Sequence, residues 1–132
     1  EGELLHFPEL GLTIWGKPVV EHCPRFRPLD NIPQRSGDQW HVAIAHGFHV
    51  PEGQETHRSS PISDEAIAHT GWDYLALGHV HPYRDVSQGA VIACYSGSPV
   101  CFSALEGGAG RVALVELHVR HGVRVRPLPV AE

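Results

Sequence analysis

The chain has 132 residues, the size of a single domain that can bury a hydrophobic core without disulfides. Hydrophobic residues make up 42% and charged residues 19% of the chain, which excludes a disordered or low-complexity protein. A net charge of −5 argues against a surface devoted to the nucleic-acid backbone, and the longest apolar run, six residues, is too short to span a membrane.

Strand and loop patterns alternate in the first half of the chain. Residues 12–16 form an apolar run that predicts a short strand ending at Gly16-Lys17-Pro18. Residues 17–40 hold four prolines and little apolar periodicity, and they predict a long surface loop. The continuous run at 42–45 is typical of a strand buried on both faces, and residues 47–61 predict a second long surface loop.

A short helix is predicted after the second loop. Either Ser60-Pro61 or Ser63 can begin it, and Asp64 and Glu65 favour its first turn. Gly71 is expected to end it. The positions expected to face the core are Ile62, Ala66 and Ile67.

Strands dominate the rest of the prediction. Residues 74–77 and 91–95 are apolar runs typical of buried strands. Residues 107–110 predict a flexible turn, and residues 111–118 and 123–125 predict a terminal hairpin. One helix and about six strands, in this order, favour an α/β (α+β) fold with mixed β-sheets in a single domain over residues 1–132.

The chain has three cysteines, an odd number, and no two of them form a C-x-x-C pair. Cys94 lies in an apolar run, where a small buried residue is expected, and we interpret Cys23, Cys94 and Cys101 as reduced thiols of a cytoplasmic protein. The chain contains no methionine and begins Glu1-Gly2-Glu3 without a basic segment. We therefore expect no signal peptide and a chain that is part of a longer product.

Histidines follow two of the predicted buried strands. His46 follows residues 42–45, and His79 and His81 follow residues 74–77. Sites are commonly built where strands end, and residues i and i+2 of an extended segment share a face, about 6–7 Å apart. Neutral imidazole binds zinc, manganese, iron or nickel. An H-x-H pair can also arise by chance in a chain with 11 histidines, so this spacing alone leaves the metal site open.

His49 lies three residues after His46 and has two readings. It could be a further ligand or a substrate contact, or it could be a solvated loop histidine.

Other catalytic patterns are missing. Ser96-Gly97-Ser98-Pro99 does not have the order of a nucleophile elbow, and no glycine-rich phosphate loop precedes the single lysine, Lys17.

The motifs around these histidines resemble a known family. Residues 73–81, Asp-Tyr-Leu-Ala-Leu-Gly-His-Val-His, and residues 95–99, Tyr-Ser-Gly-Ser-Pro, resemble the second half of a calcineurin-like metallophosphoesterase. Within that superfamily they are most similar to the SbcD-type DNA-repair exonucleases. Residues 12–16, 44–47 and 112–117 also resemble family segments, so the similarity covers roughly residues 10–128.

The resemblance implies a fold, an activity and a metal centre. The fold would be about half of a two-sheet sandwich flanked by helices. The activity would be metal-dependent, nuclease-like phosphodiester hydrolysis, with a phosphoester substrate that could be DNA. His46 and His79 would bind one divalent ion and His81 the other, with manganese the expected metal and zinc or iron as alternatives.

The chain also departs from the family pattern. The D-x-H, G-D and G-N-H-D motifs of the first half are missing, and neither Asp30-Asn31 nor Ser36-Gly37-Asp38 replaces them. The bridging carboxylate and the acid–base histidine are therefore missing, and no catalytic residue is assigned. We expect this C-terminal half to be weakly active or inactive alone. Without the first half, strands 42–45 and 74–77 should be left unpaired or uncovered, and they should pair with an N-terminal half or a second copy of the chain. The alternative is a self-standing small metal-binding protein or a compact hydrolase of simple phosphoesters.

Overall fold

The computed structural model describes residues 1–100 and 110–130, which form strands around one short helix. In chain order the described elements are β1 (Glu3–Phe7), a 3₁₀ turn (Pro8–Leu10), β2 (Leu12–Gly16), β3 (Trp40–His46), β4 (Phe48–Val50), β5 (Pro61–Ser63), α1 (Asp64–Thr70), β6 (Tyr74–Gly78), β7 (Arg84–Asp85), β8 (Ile92–Tyr95), β9 (Arg111–His118) and β10 (Gly122–Pro129).

Six of these strands form the central sheet, in the order β1-β2-β3-β6-β8-β7. The four inner strands, β2, β3, β6 and β8, run parallel, whereas β1 and β7 pair antiparallel at the two edges. The predicted mixed sheet with few helices is therefore confirmed at the level of fold class. Because β3 and β6 are parallel neighbours, their carboxyl ends open at the same edge of the sheet.

Helix α1 begins and ends as its sequence predicts. The Ser63 hydroxyl accepts a hydrogen bond from the Ala66 amide at 3.1 Å, and Gly71 closes the helix with a left-handed φ of 61°. Ile62 and Ile67 are fully buried, as the predicted inward face requires. Of the two candidate helix starts, the structure therefore uses Ser63.

The core lies on one face of the central sheet. Trp15 and Trp72 are almost fully buried there, with their rings in an edge-to-face contact at 6.5 Å. The small side chains of Ala43 and Ala45 on β3 are buried on the same face. The predicted surface loop at 17–40 contributes to this core, because Leu29 is buried within it. The rest of the segment up to residue 39 forms no helix or strand, and apart from Pro28 and Leu29 its residues are exposed or half-buried.

Strands β1, β4, β5 and the two-residue strand β7 were not predicted. β1 pairs antiparallel with β2 across the Pro8–Leu10 turn. The short parallel pair of β4 and β5 lies at the two ends of the predicted 47–61 loop. A proline lies in or beside β1, β4 and β5, and β4, β5 and β7 have three residues or fewer, so the sequence carries little local strand signal.

The expected unpaired strands are instead interior strands. β3 pairs with β2 and β6, and β6 pairs with β3 and β8, so the strand-edge part of that expectation was wrong. The expected apolar face is present in part. Opposite the core, Ile44 on β3 is 52% exposed and Leu5 on β1 is 57% exposed.

The terminal hairpin is confirmed, with β10 longer than predicted because it continues to Pro129. Its first strand is joined to the sheet through Ser98, whose carbonyl accepts hydrogen bonds from the Gly110 and Arg111 amides. Most of the predicted 107–110 turn, together with Cys101, lies outside the described residues. Within residues 1–100 and 110–130, no helix combines the length and apolar character needed to cross a bilayer.

Candidate metal centre

The site begins where β3 and β6 end side by side. The strand register places His46 directly opposite Gly78. A Cβ atom at residue 78 would lie 3.0 Å from His46 Nδ1, so any larger residue would displace the imidazole. Glycine at this position therefore makes room for the His46 ring beside the end of β6.

His79 turns back toward His46. β6 ends at Gly78, and His79 has a φ of 111°, a conformation that non-glycine residues rarely adopt. This turn places the His46 and His79 ring centroids 5.3 Å apart, with their planes nearly perpendicular. The two histidines therefore converge, although through a strained turn and not through the extended segment that the sequence predicts.

The loop after β8 closes the other side of the site. The Ser98 amide donates to the His81 carbonyl at 2.6 Å. Gly97 has a left-handed φ of 88°, and a Cβ there would lie 3.1 Å from the Tyr83 amide nitrogen and 3.3 Å from the His81 carbonyl oxygen. The Tyr-Ser-Gly-Ser-Pro segment thus holds the backbone of His81 through a close approach that requires glycine.

These segments surround a cavity of about 330 Å³. Its lining residues are His46, Leu77, Gly78, His79, Val80, His81, Ser96, Gly97 and Ser98. The three predicted ligands therefore line one cavity, and their imidazoles are the donor type that manganese, zinc and iron accept. Among residues 1–100 and 110–130, no Asp or Glu lines this cavity, so the described part of the chain does not supply the carboxylate expected of a bridged two-metal centre.

The electrostatic surroundings favour neutral histidine. Partial burial is the main cause that lowers the pKa of His79 below its ordinary value, and the nearby positive charges of His46, Arg58, His81 and His22 lower it further. A neutral imidazole has a lone pair available for a metal ion. The contribution of His22 was not predicted, because only the tertiary structure brings the 17–39 segment near this site.

Tyr95 and Gly47 hold the edge of the sheet together behind the cavity. The fully buried Tyr95 donates its hydroxyl to the Gly47 carbonyl at 2.8 Å, and the Gly47 amide donates to the Gly78 carbonyl at 3.2 Å. Burial raises the pKa of Tyr95 to about 12, so the phenol remains protonated and able to donate. These two bonds connect the ends of β3, β6 and β8.

His49 does not line the histidine cavity. Its Nε2 lies 2.7 Å from Asp64 Oδ1, and the same carboxylate accepts from the Glu52 amide and the Gln88 side chain. The hydrogen bond with His49, as the largest cause, and the bond from the Glu52 amide lower the pKa of Asp64. In the structure the His49 side chain therefore joins β4 to the start of α1 and does not line the cavity shared by His46, His79 and His81.

Asp73, the first residue of the 73–81 motif, has structural contacts in this chain. Its carboxylate accepts from the His41 amide at 2.8 Å and pairs with Arg35 at 2.9 Å. The buried His41 ring also packs edge to face on Trp72 at 5.2 Å. Asp73 therefore joins the start of β6 to β3, far along the strands from the histidines.

In the part of the chain that the structure describes, no group of three or more His, Cys, Asp or Glu side chains is arranged to hold a metal ion. The His46 and His79 rings meet edge to face, and both residues are exposed to solvent over part of their surface. His81 lines the same cavity without completing a coordination shell with them. The histidines are thus brought together, but a metal centre would need further ligands or a rearrangement of the rings.

Comparison with known proteins identifies no family. No protein-family model matches the chain, and a search of the curated proteins finds no match. The functional assignment therefore depends on the motifs and the geometry described above.

Proposed function

We propose that this chain supplies the histidine side of a divalent-metal centre that hydrolyses phosphodiesters in a nuclease-like manner, as in the calcineurin-like metallophosphoesterases that its motifs resemble. The observation that carries the proposal is the convergence of His46 and His79 at neighbouring strand ends, with ring centroids 5.3 Å apart. His81 lines the same cavity. Three imidazoles collected at the carboxyl edge of a parallel sheet are a common basis for a metal site.

Imidazole is a donor that manganese, zinc and iron accept, and the resemblance favours manganese. His46 and His79 would hold one ion and His81 the other. A bound divalent ion would supply an activated water and stabilise the charge on the phosphorus. The chain's own residues position the donors, because Gly78 makes room for the His46 ring and the Ser98 amide holds the His81 backbone.

The carboxylate ligands would come from another polypeptide segment. The face of the sheet opposite the core is apolar and partly open, with Ile44 and Leu5 more than half exposed. An N-terminal half of the same protein, or a second copy of the chain, would cover this face.

The free thiols Cys23 and Cys94 suit a reducing compartment such as the cytoplasm.

A titration with Mn²⁺ followed by electron paramagnetic resonance tests the metal site. We expect the purified chain to bind Mn²⁺, and the His79→Ala variant to bind it at least ~10-fold more weakly. His69→Ala removes an exposed histidine from the end of α1 and serves as the matched control. Equal Mn²⁺ affinities for the wild type, His79→Ala and His69→Ala would refute the proposal.

The interior positions of β3 and β6 favour a second candidate, a self-standing metal-binding protein or a compact hydrolase of simple phosphoesters. The chain builds its own core around Trp15 and Trp72, and neither histidine-bearing strand is an edge strand. Sedimentation at low micromolar concentration separates the candidates. A stable monomer that cleaves bis(p-nitrophenyl) phosphate with Mn²⁺ favours the self-standing protein, whereas self-association or inactivity favours the incomplete centre.

A further inference from the structure

A second cavity of about 240 Å³ adjoins the histidine cavity. The two cavities share His79, Val80 and His81 as lining residues. The second cavity adds Phe48, Arg58, Pro82 and Arg84. A ligand at the histidines would therefore lie next to a wall that carries two guanidinium groups.

Arg58 is held in place by an aromatic ring. Its guanidinium lies over the Phe48 ring at 4.5 Å from the centroid, and Phe48 contacts the His79 ring edge to face at 6.1 Å. The Arg58 amide donates to the Thr56 hydroxyl at 3.1 Å, which orders the backbone on the other side. Stacking leaves the N–H edges of a guanidinium free to donate, so Arg58 is preorganised to bind an anion.

Arg84 reaches the second cavity from β7, an edge strand of the central sheet. In the β7–β8 pairing it lies opposite Tyr95, whereas the following residue, Asp85, lies opposite Cys94 and faces the other way. The Asp85 carboxylate accepts from the amide and the hydroxyl of Ser87. Within residues 1–100 and 110–130, neither Arg58 nor Arg84 has a carboxylate partner within 4.0 Å.

The local charge differs from that of the whole chain. The sequence has 15 acidic and 10 Lys or Arg residues, yet the two cavities are lined by two arginines and, among residues 1–100 and 110–130, by no carboxylate. A positive wall on an acidic protein selects anions locally, while the rest of the surface repels them.

We infer that Arg58 and Arg84 form a binding site for a phosphate group, which holds a second phosphate of the substrate beside the one at the histidines. A guanidinium group presents its N–H donors in a geometry that matches phosphate oxygens, and both arginines line the same cavity. The inference deepens the proposed function and rests on it for the phosphate at the histidines. The substrate class is therefore a phosphate ester with at least two phosphates, either an oligonucleotide strand or a nucleotide-like polyphosphate.

Calorimetric titration without divalent metal tests the anion site directly. The probes are tripolyphosphate and single-stranded hexathymidylate, each added at low ionic strength to the full chain. The double variant Arg58→Gln/Arg84→Gln is compared with Arg120→Gln/Arg124→Gln, which removes the same charge from exposed positions of the terminal hairpin. All four arginines are exposed, so the variants should fold, and circular dichroism checks that they do.

We expect the site variant to bind both probes at least ~10-fold more weakly than the wild type, and the hairpin variant to change binding less than ~2-fold. Tighter binding of hexathymidylate would support a nucleic-acid backbone as the ligand, and tighter binding of tripolyphosphate would support a nucleotide-like polyphosphate. Equal weakening in the two variants, or no binding of either probe by the wild type, would overturn the inference.

A parallel Mn²⁺ titration separates this inference from the proposed function. If Mn²⁺ binds through the histidines while the site variant binds tripolyphosphate as tightly as the wild type, the phosphate site is wrong and the proposed function stands. If tripolyphosphate binds through the two arginines and no Mn²⁺ binds, the proposed function is wrong and the site remains as a plain anion site.

Discussion

Replacing Gly47 with alanine should loosen the edge of the sheet that carries the histidines. Gly47 is buried between β3 and β4, directly after His46. A Cβ atom at this position would collide with the Ser60 carbonyl oxygen and would lie 2.9 Å from Pro28 Cγ and 3.0 Å from Ile62 Cδ1. The Ser60 oxygen belongs to the backbone and cannot swing away as a flexible side chain would.

The expected cost follows from these contacts. Forcing an extra carbon into a packed site typically costs about 1–3 kcal/mol. Displacing the Ser60 carbonyl also strains its 2.9 Å hydrogen bond from the Phe48 amide, a contribution of about 1 kcal/mol. We therefore expect Gly47→Ala to lower the free energy of unfolding by about 3 kcal/mol, which for a chain of this size lowers Tm by roughly 10 °C.

Gly16→Ala is the matched control. A Cβ at Gly16 would meet its nearest atoms at 3.8 and 4.0 Å, which is ordinary van der Waals contact. Neither Gly16 nor Gly47 has a left-handed φ, so backbone strain does not separate the two substitutions. The control should leave stability unchanged or raise it by about 0.4–1 kcal/mol, because alanine restricts the unfolded chain.

Urea unfolding and thermal melts of the three proteins measure the difference. Near-UV circular dichroism adds a local readout, because the buried Tyr95 donates its hydroxyl to the Gly47 carbonyl. A Gly47→Ala protein that melts within ~2 °C of the Gly16→Ala protein would show that the Ser60 backbone is free to move, and the packing argument would then fail.

Three further predictions follow from single groups. Tyr95→Phe removes the buried hydrogen bond to Gly47 and should lower the free energy of unfolding in urea by about 1 kcal/mol, so a variant as stable as the wild type would contradict the role of this bond. Burial raises the pKa of the Cys94 thiol to about 11, so mass spectrometry after iodoacetamide treatment at pH 8 should find the partly exposed Cys23 alkylated first, and equal rates would count against this. The pKa of Asp64 in the folded chain lies below its usual value of 3.8, so the ionised carboxylate stabilises the fold above that pH and this stabilisation is lost as the pH falls through the lowered pKa. Asp64→Asn should therefore flatten the decline of the free energy of unfolding below pH 4. Urea titrations at several pH values in which the variant shows the same decline as the wild type would refute this.

Much of the local structure could be predicted from the sequence, because the signals that encode it span only a few residues. Ser63 and Gly71 mark the ends of α1 through hydrogen bonding and a left-handed turn, which need no distant partner. The apolar runs at 42–45 and 74–77 were correctly predicted as strands, since an uninterrupted run of this length suits a parallel strand in the interior of a sheet.

The candidate site was predicted in part. The positions of His46 and His79 at strand ends were visible in the sequence, but their contact depends on β3 and β6 being neighbours, which the sequence alone did not show. The turn at His79 and the pairing of His49 with Asp64 were not predicted either. Each depends on residues that are distant in sequence or on a backbone conformation that the residue type disfavours.

The tertiary structure alone decided which surfaces surround the histidines. Arg58 and Arg84 reach the site from a loop and from an edge strand, and no spacing rule connects either of them to His79. The exposure of Ile44 also could not be predicted from the sequence, because it depends on which face of the sheet the core covers. Which strands become neighbours, and which sheet face is covered, depends on the apolar surface that the whole chain buries, because only that total offsets the entropy cost of closing long loops. No short segment of sequence carries this information.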